Sequence, residues 1–427
     1  MTIVKRELAH HVVRFLSLSP ERSHSVRWDR FRSRDWQRTL PWLHENGLAL
    51  YFRQRLKDSN REVAVPDLVW SNLERNFAAN RKRITSLANR FERLNREFER
   101  AGVTYAAVKG FSLVPDFCPD SCLRPQSDFD YVIQEDSLLQ AQRVLAGAGY
   151  SLKAQAARDY EFQLPGTEFV PTAESQYSSS APHTVELHLS LWDSNARDIV
   201  LPEPAFSSAR TVQREWQGLS FSALREEDLF LFLVMHIFYH ISNYWLRISW
   251  LYEIAYFLQR RATDECFWAG VADSIGDDPQ LREITGCVAE LAARFFAAPL
   301  PDAIVGWQLR PAVKIWIERY SEIWAFGKNH VDDFSLLPTA KLTLFLLQQY
   351  APDAKRFIRS RLFPATRLSS VASALKTKPS RLLDSQFRRR ARILRRTFFH
   401  TAANFRFLCE AVRWQHLNRI RSYSPVA

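Results

Sequence analysis

The stretch Ser127-Asp-Phe-Asp-Tyr-Val-Ile133 places two carboxylates at the start of an apolar segment that we predict to be a β-strand. Because successive side chains of a strand point to opposite faces, Asp128 and Asp130 share one face and Phe129 lies on the other. Neighbouring carboxylates repel each other unless a positive charge lies between them. Mg²⁺ meets this need, since it binds one or two carboxylates together with substrate phosphates. The stretch therefore predicts a metal site on a strand; the alternative is a pair of acids at a solvated strand end.

A phosphate-binding turn is predicted at Lys109-Gly-Phe-Ser112, which follows the short apolar segment 103–108. That segment has the composition of a strand, and a glycine after it lets the backbone come close to a ligand. We expect a helix to begin here, because the free N–H groups and the positive dipole end of a helix N-terminus suit a phosphate. The alternative is an ordinary turn between a strand and a helix.

A third carboxylate lies in the segment 184–189, where apolar and polar residues alternate as in a half-buried strand. Val185 and Leu187 lie on its apolar side, and Glu186 and His188 share the opposite side. If this strand neighbours the one that carries the aspartates, Glu186 completes a two-metal site for the in-line displacement of a phosphoryl or nucleotidyl group. The alternative is an exposed acid on a half-buried strand.

Most of the remaining chain has the pattern of helices. One apolar stripe at helical spacing, which ends before Gly102, consists of Ile84, Leu87, Phe91, Leu94 and Phe98. Pro41 and Pro66 are predicted to mark further helix boundaries. The low count of 12 glycines disfavours an all-β fold. We therefore predict an α+β fold that is mostly helical, with a small mixed β-sheet of the nucleotidyltransferase type flanked by helical regions.

The chain divides into four predicted regions. They are an N-terminal helical region at 1–102, a catalytic core at 103–192, a helical region at 193–335 and a basic C-terminal helical segment at 336–427. Within the core we also predict a helix at 137–148, strands at 150–153 and 160–164, and an exposed hairpin loop at 174–180.

Composition indicates a cytoplasmic protein. Five cysteines without framework spacing predict a reducing compartment, and the N-terminus lacks the features of a signal peptide. We predict no transmembrane segment, because polar and charged residues interrupt the most apolar window, 229–258.

We also predict no zinc site. His236 and His240 have the i, i+4 spacing of a zinc pair, but no third ligand is evident, and Cys118 and Cys122 have no partner pair.

The net charge of +12 is concentrated near the C-terminus. Residues 351–427 contain 18 Lys and Arg against 3 Asp and Glu, whereas the rest of the chain contains 40 against 43. The segment 386–420 is predicted to be a basic amphipathic helix that meets an anionic surface, either a membrane or a nucleic acid. Alternatively, its apolar stripe packs on the helical region. The stripe consists of Leu394, Phe398, Phe405, Leu408 and Val412, and the arginines at its start are Arg388, Arg389, Arg390, Arg392, Arg395 and Arg396.

Four segments in this order carry a resemblance to a known family. They are AAVKGFSLVPDF at 106–117, LRPQSDFDYVI at 123–133, GAGY at 147–150 and VELHLSLW at 185–192. Together they resemble the bacterial "uncharacterised nucleotidyltransferase" family, and more widely the DNA polymerase β-like nucleotidyltransferase superfamily. The superfamily motif is a helix-opening Gly-Ser, a downstream Asp-x-Asp or Asp-x-Glu and a third acid on a later strand. The resemblance extends over roughly 30–370, and its specific part over about 105–192.

The resemblance implies an enzyme that moves an NMP from an NTP to an unidentified acceptor and releases pyrophosphate. It implies Mg²⁺ as the cofactor, as one ion or two, with Mn²⁺ as a substitute. By this resemblance Asp128, Asp130 and Glu186 bind the metal and carry the catalysis, and Gly110 and Ser112 hold the nucleotide phosphates.

Two positively charged residues are further candidates for the site. Lys109 and Arg124 are candidates to neutralise the triphosphate, with a salt bridge to the acidic pair as the alternative.

The sequence departs from the superfamily motif in two ways. Fifteen residues separate Ser112 from Asp128, which is long for the wider superfamily. Glu186 stands where Asp is commoner in the superfamily.

Two other functions stay open. One is a nucleotide-binding or assembly protein that keeps the fold without turnover. The other is a nucleotidyltransferase that modifies nucleic acid, for which the basic C-terminal segment would supply the contact. The same segment would place an otherwise cytoplasmic protein at a membrane surface.

Overall fold

The computed structural model describes residues 3–156, 158–164, 172–190, 199, 206–244, 246–326, 339–363 and 382–423, without the side chains of 3–5, 382–396 and 420–423. Its helices are α1 Ile3–Phe15, α2 Pro20–His24, α3 Ser33–Glu45, α4 Ala49–Asp58, α5 Asp67–Arg100, α6 Leu138–Gly147, α7 Glu226–Ser242, α8 Ile248–Arg261, α9 Glu265–Ile275, α10 Pro279–Phe296, α11 Asp302–Val305, α12 Pro311–Arg319, α13 Ser321–Phe326, α14 Leu344–Leu347, α15 Ala354–Leu362 and α16 Leu382–Tyr423. No helix in the described part of the chain is long and apolar enough to cross a membrane.

In the described part of the chain, one mixed sheet of seven strands lies among these helices, in the order β3-β4-β5-β2-β1-β7-β6. Its strands are β1 Tyr105–Ala107, β2 Asp128–Ile133, β3 Ser151–Gln155, β4 Asp159–Gln163, β5 Thr184–His188, β6 Thr211–Trp216 and β7 Leu219–Leu224. The predicted fold class, α+β and mostly helical with one mixed sheet, is confirmed.

The register of the central strands brings the predicted acidic residues together. β5 pairs with β2 in parallel, so that Glu186 lies opposite Asp130 and His188 lies opposite Val132. β1 pairs with β2 on its other side, antiparallel, and the amide of Val108 donates to the carbonyl of Asp130. The end of β1, where Lys109 follows, therefore lies beside the aspartates.

The two faces of the sheet are buried against different helices. Phe129 and Tyr131 of β2 pack with the apolar stripe of α5 and with α6, as the strand alternation predicts. Val132 and Ala106 belong to the core that the sheet forms with α7 and the helices beyond it. Since Asp128 and Asp130 alternate with Phe129 and Tyr131, the carboxylates face the α7 side.

Helix α5 holds the loops that precede the two acidic strands. The guanidinium of Arg83, which is 2% exposed, donates to the backbone carbonyls of Gln126, Ser178, Ala181 and Pro182. The amide of Asn80, one turn earlier, donates to the carbonyls of Cys122 and Arg124. These bonds fix the entrances of β2 and β5 relative to each other.

Several local predictions are corrected by the fold. Gly110–Leu113 is a short 3₁₀ turn and not the start of an α-helix, because Pro115 disfavours helical backbone at the residue before it. Pro41 lies inside α3, where the burial of the residues around it outweighs the proline penalty. The region 193–335, predicted to be helical, contains the β6–β7 hairpin, which extends the sheet.

The predicted exposed loop at 174–180 is instead docked on the helices. Tyr177 is 1% exposed, and its hydroxyl lies 3.0 Å from Nδ1 of His44. The carboxylate of Glu174 accepts hydrogen bonds from Asn72 and Asn76 of α5. Polar partners on two helices therefore stabilise a segment whose composition alone is that of a solvated loop.

The C-terminal helix packs through residues other than the predicted stripe. The rings of Phe407 and Trp414, which are 3% and 5% exposed, stack on Phe345. Four members of the predicted stripe face solvent, with exposures of 69% for Phe398, 69% for Phe405, 54% for Leu408 and 71% for Val412. The side chains of Leu394 and of the arginines at 388–396 lie outside the described residues.

Arg83 is expected to be a main determinant of stability. Replacing Arg83 by Met leaves buried carbonyl groups without donors, and we expect a loss of about 3 kcal/mol in the free energy of unfolding. Urea unfolding of full-length protein measures it. Arg96→Met is the matched control, because Arg96 is exposed on the same helix and pairs with Glu92 at the surface. This variant should lower the free energy of unfolding by about 0.5 kcal/mol or less. Equal losses in both variants would contradict this role for Arg83.

Candidate active site

The centre of the site is a buried ion pair between Lys109 and Asp130. The Nζ atom of Lys109 lies 2.5 Å from Oδ1 of Asp130, and the two side chains are 11% and 1% exposed. Lys109 follows β1 and Asp130 lies in β2, so the antiparallel pairing of these strands sets the contact. A positive charge thus lies among the carboxylates, as their mutual repulsion requires.

His188 is a second partner of Asp130. Its Nε2 lies 3.3 Å from Oδ1 of Asp130 and 3.7 Å from Oε2 of Glu186. Its Nδ1 lies 2.9 Å from Oδ1 of Asp159 on the neighbouring strand β4. Asp159 therefore fixes the orientation of the ring and leaves Nε2 directed at the other two carboxylates.

The pKa values follow from this arrangement of charges. Burial raises the pKa of Asp130, but Lys109 and His188 outweigh it and hold the pKa well below its usual range. Burial lowers the pKa of His188, but its hydrogen bonds to Asp130 and Asp159 raise it to about 9. Burial, together with the charges of Asp130 and Asp128, raises the pKa of Glu186 to about 7. The pKa of Glu186 is therefore well above that of an ordinary glutamate.

Three of these residues could hold a cation. The ligand atoms of Asp130, Glu186 and His188 all lie within 4.8 Å of one another. Oδ2 of Asp130 is buried and has no hydrogen-bond partner, which is costly for a carboxylate oxygen. The two carboxylates are ligands that suit Mg²⁺ or Mn²⁺, and His188 would join them as a neutral imidazole once the cation displaces its proton.

Asp128 lies beside this group but is not one of the three. Burial and the charge of Asp130 raise the pKa of Asp128, whereas Lys109, Arg124 and Arg247 lower it. Asp128 therefore faces an arginine-rich side of the site, and Asp130 faces the lysine and the histidine.

Arg124 is held by a buried polar network. Its Nε donates to Oε1 of Glu253 at 3.1 Å, and the hydroxyl of Tyr51 donates to the same oxygen at 3.2 Å. Arg124 and Lys109 line a small cavity under α7, together with His236 and Trp250. Its volume of about 10 Å³ is close to what one water molecule needs.

The predicted phosphate turn is closed. Gly110 adopts a φ of +64°, and a Cβ atom there would lie 2.3 Å from Nε2 of Gln126. The hydroxyl of Ser112 is fully buried and donates to the carbonyl of Lys109. The positive φ and the contact with Gln126 both require a glycine at position 110, and the Gln126 side chain covers this side of the turn.

Sequence reasoning did not include His188 among the candidate site residues. The structure brings Asp128, Asp130, Glu186 and Lys109 together, and it pairs Arg124 with Glu253 rather than with the aspartates. The alternation of 184–189 already put His188 on the same side as Glu186. The position of His188, two residues after the candidate ligand Glu186 on the same strand, was the sequence feature that could have identified it.

Carboxylates clustered on two adjacent strands are able to hold the metal ions that group-transfer enzymes use. The family model described as "Uncharacterised nucleotidyltransferase" matches residues 32–297, and the chain belongs to this family. Searches of the curated proteins and of the solved structures found no match. The family match covers α3 to α10 and all seven strands.

Metal binding should depend on Asp130. Asp130→Asn removes the carboxylate charge at the centre of the potential ligand group, so we expect Mn²⁺ affinity to fall by roughly 100-fold or more. Calorimetric titration with Mn²⁺ measures it. Asp136→Asn is the control, because Asp136 is an exposed acid just beyond the end of β2. This variant should bind Mn²⁺ with the affinity of the wild type. Unchanged Mn²⁺ binding in Asp130→Asn would place the ion elsewhere.

Proposed function

We propose that this protein is a metal-dependent nucleotidyltransferase that moves an NMP from an NTP to an acceptor and releases pyrophosphate. The observation that carries the proposal is the group of Asp130, Glu186 and His188, with an unpartnered buried oxygen on Asp130, in a chain of the nucleotidyltransferase family. The order of the motifs supports a polymerase β-like fold for the core at 103–192.

The proposal gives each acidic residue a role. Asp130 and Glu186, with His188, would hold Mg²⁺, for which Mn²⁺ substitutes, and Asp128 would hold a second ion. When bound, such ions lower the charge on the phosphates and make the acceptor oxygen a better nucleophile. Glu186 would also accept the proton of the acceptor, because its carboxylate lies opposite Asp130 on the neighbouring strand.

The phosphates of the nucleotide are assigned to the Lys109 side of the site. Lys109 and Arg124 line the small cavity and would neutralise the leaving pyrophosphate. Gly110 and Ser112 would contact the phosphates through the turn once Gln126 has moved. Because Lys109 pairs with Asp130, its release from the carboxylate on metal binding would make its charge available to the triphosphate.

Substitution of the acids should separate binding from turnover. Asp128→Asn and Asp130→Asn should abolish metal-dependent pyrophosphate release while the fold is kept, because both remove charge from the metal site. Glu186→Gln should lower kcat by roughly 100-fold with a smaller change in nucleotide affinity, since loss of a general base slows the proton transfer. Pyrophosphate release is followed with labelled NTPs, Mg²⁺ and fractions of a cell lysate.

Two results of this assay would contradict the proposal. Wild-type rates in both aspartate variants would show that the carboxylates are not catalytic. Binding of metal and NTP by the wild type without pyrophosphate release from any fraction would favour the non-catalytic nucleotide-binding protein instead. Asp136→Asn serves again as the control for loss of an acid close to the site.

For the C-terminal helix we propose contact with an anionic membrane surface. The exposed side chains of Phe398, Phe405 and Val412 lie on one face of α16, opposite the buried Phe407. The sequence before this face is rich in arginine, and each basic residue near anionic lipid contributes about 1 kcal/mol of attraction. An apolar face next to a basic segment is typical of helices that lie in a membrane surface.

Vesicle binding tests this contact. The full-length protein should bind vesicles that contain phosphatidylserine, and more weakly as salt rises. The double variant Phe398→Ser with Phe405→Ser should weaken binding by roughly tenfold, because it removes apolar surface that enters the bilayer. Gln415→Ser, an exposed change on the same helix, is the control. Equal binding to neutral vesicles, or binding to RNA or DNA alone, would contradict the membrane assignment.

A further inference from the structure

A large cavity lies at the C-terminal end of β2, on the same face of the sheet as the carboxylates. Its volume is about 420 Å³, which is within the range of small-molecule sites. Most of its described lining is apolar and comes from the sheet, α7 and α10, including Val132, Leu224, Leu231, Phe232, Met235 and Leu281. Below it is called the β2 cavity.

The β2 cavity borders the catalytic residues directly. Val132 follows Asp130 on the same face of β2, so its side chain lies roughly 6.6 Å further along the strand. Val132 is also the register partner of His188. On α7, Met235 lines the β2 cavity, and the next residue, His236, lines the small cavity with Lys109.

The β2 cavity and the phosphate turn lie on opposite sides of the carboxylates. β1 runs antiparallel to β2, so Lys109 and Gly110 come after β1 at the Asp128 end of β2. The β2 cavity begins at Val132, at the other end. An in-line displacement needs this arrangement, because the attacking oxygen and the leaving pyrophosphate are on opposite sides of the phosphorus.

We propose that the β2 cavity binds the acceptor, and that the acceptor is a small amphipathic alcohol with an apolar body and a polar end. This inference rests on the proposed function. The hydroxyl oxygen attacks the α-phosphorus and forms the new P–O bond, and the bond from that phosphorus to the oxygen bridging to the β-phosphate breaks. Pyrophosphate leaves with the electron pair, the hydroxyl proton passes to Glu186, and the product is an NMP ester of the alcohol.

The walls of the β2 cavity determine this class of acceptor. The apolar lining disfavours a charged polymer such as a nucleic acid, which needs a basic groove along its phosphates. Asp228 binds the guanidinium groups of both Arg210 and Arg225, so its charge is already compensated. Arg158 lies at the rim and donates to the carbonyl of Leu189. Glu135 also lines the cavity, so an acid and a base, Glu135 and Arg158, are both present for the polar end of the acceptor.

Filling the β2 cavity tests the inference with two independent readouts. The first is binding of the apolar fluorescent probe anilinonaphthalene sulfonate to the full chain. The second is transfer of label from an NTP to a molecule that is extracted from a lysate fraction into butanol. Met235→Trp should weaken probe binding and slow transfer by roughly tenfold each, because the indole occupies the space of the ligand. Binding of Mn²⁺ and of NTP should stay at the wild-type level.

A control and a second variant keep the test decisive. Val305→Trp adds the same side chain at an exposed position on α11 and should leave both readouts unchanged. Leu231→Trp, one turn earlier on α7, repeats the test if Met235→Trp does not fold. Loss of probe binding and of transfer in either folded variant supports the assignment.

Three results would overturn it. Label that appears on protein or nucleic acid excludes a small acceptor, and wild-type transfer by the filled variants excludes the β2 cavity. Displacement of the probe by Mg²⁺ and NTP alone would assign the cavity to the nucleoside. In these cases the proposed function stands, because the wild type still releases pyrophosphate. A wild type that releases none from any fraction contradicts the proposed function, and the acceptor assignment falls with it.

Discussion

The burial of several carboxylates beside one another is the constraint on which this structure depends. Two unit charges about 4 Å apart repel by about 4 kcal/mol at an effective dielectric constant of about 20. That is a large part of the roughly 5–15 kcal/mol that stabilises a typical domain. Lys109 and His188 reduce the repulsion by pairing with Asp130, and Asp159 orients His188. Even so, one oxygen of Asp130 is left without a partner. Clustering acids at this cost is expected where a cation is to be bound.

The surrounding fold holds the charged groups in place. Parallel pairing of β2 with β5 sets Glu186 opposite Asp130, and α5 fixes the entrances of both strands through Arg83. α7 crosses the same face and lines both the small cavity and the large one. The carboxylates thus lie between a basic end, at Lys109, and an apolar end, at Val132. In the proposed reaction the pyrophosphate leaves at the basic end, and the acceptor binds at the apolar end.

Much of the central sheet could be predicted because its signals are local. The alternation around Asp128 and Glu186 defines both strands and the side chains that share a face. The β6–β7 hairpin was missed because Thr211–Trp216 is polar and largely exposed and only Gly218 marks its turn. The packing face of α16 could not be chosen, because that helix has two apolar faces. Residues distant in the sequence, Phe345 and Tyr320, select the face of Phe407 and Trp414. Tyr177 likewise depends on His44, far away in the sequence.

The most direct measurement of the central claim is a crystal structure with Mn²⁺ and a nucleotide analogue that cannot be hydrolysed, with anomalous diffraction recorded to locate manganese. The account predicts a manganese peak at coordination distance from Asp130, Glu186 and His188, with Lys109 moved from Asp130 to a phosphate. A nucleotide bound elsewhere, with Lys109 still paired to Asp130 and no manganese peak between the three residues, would contradict it.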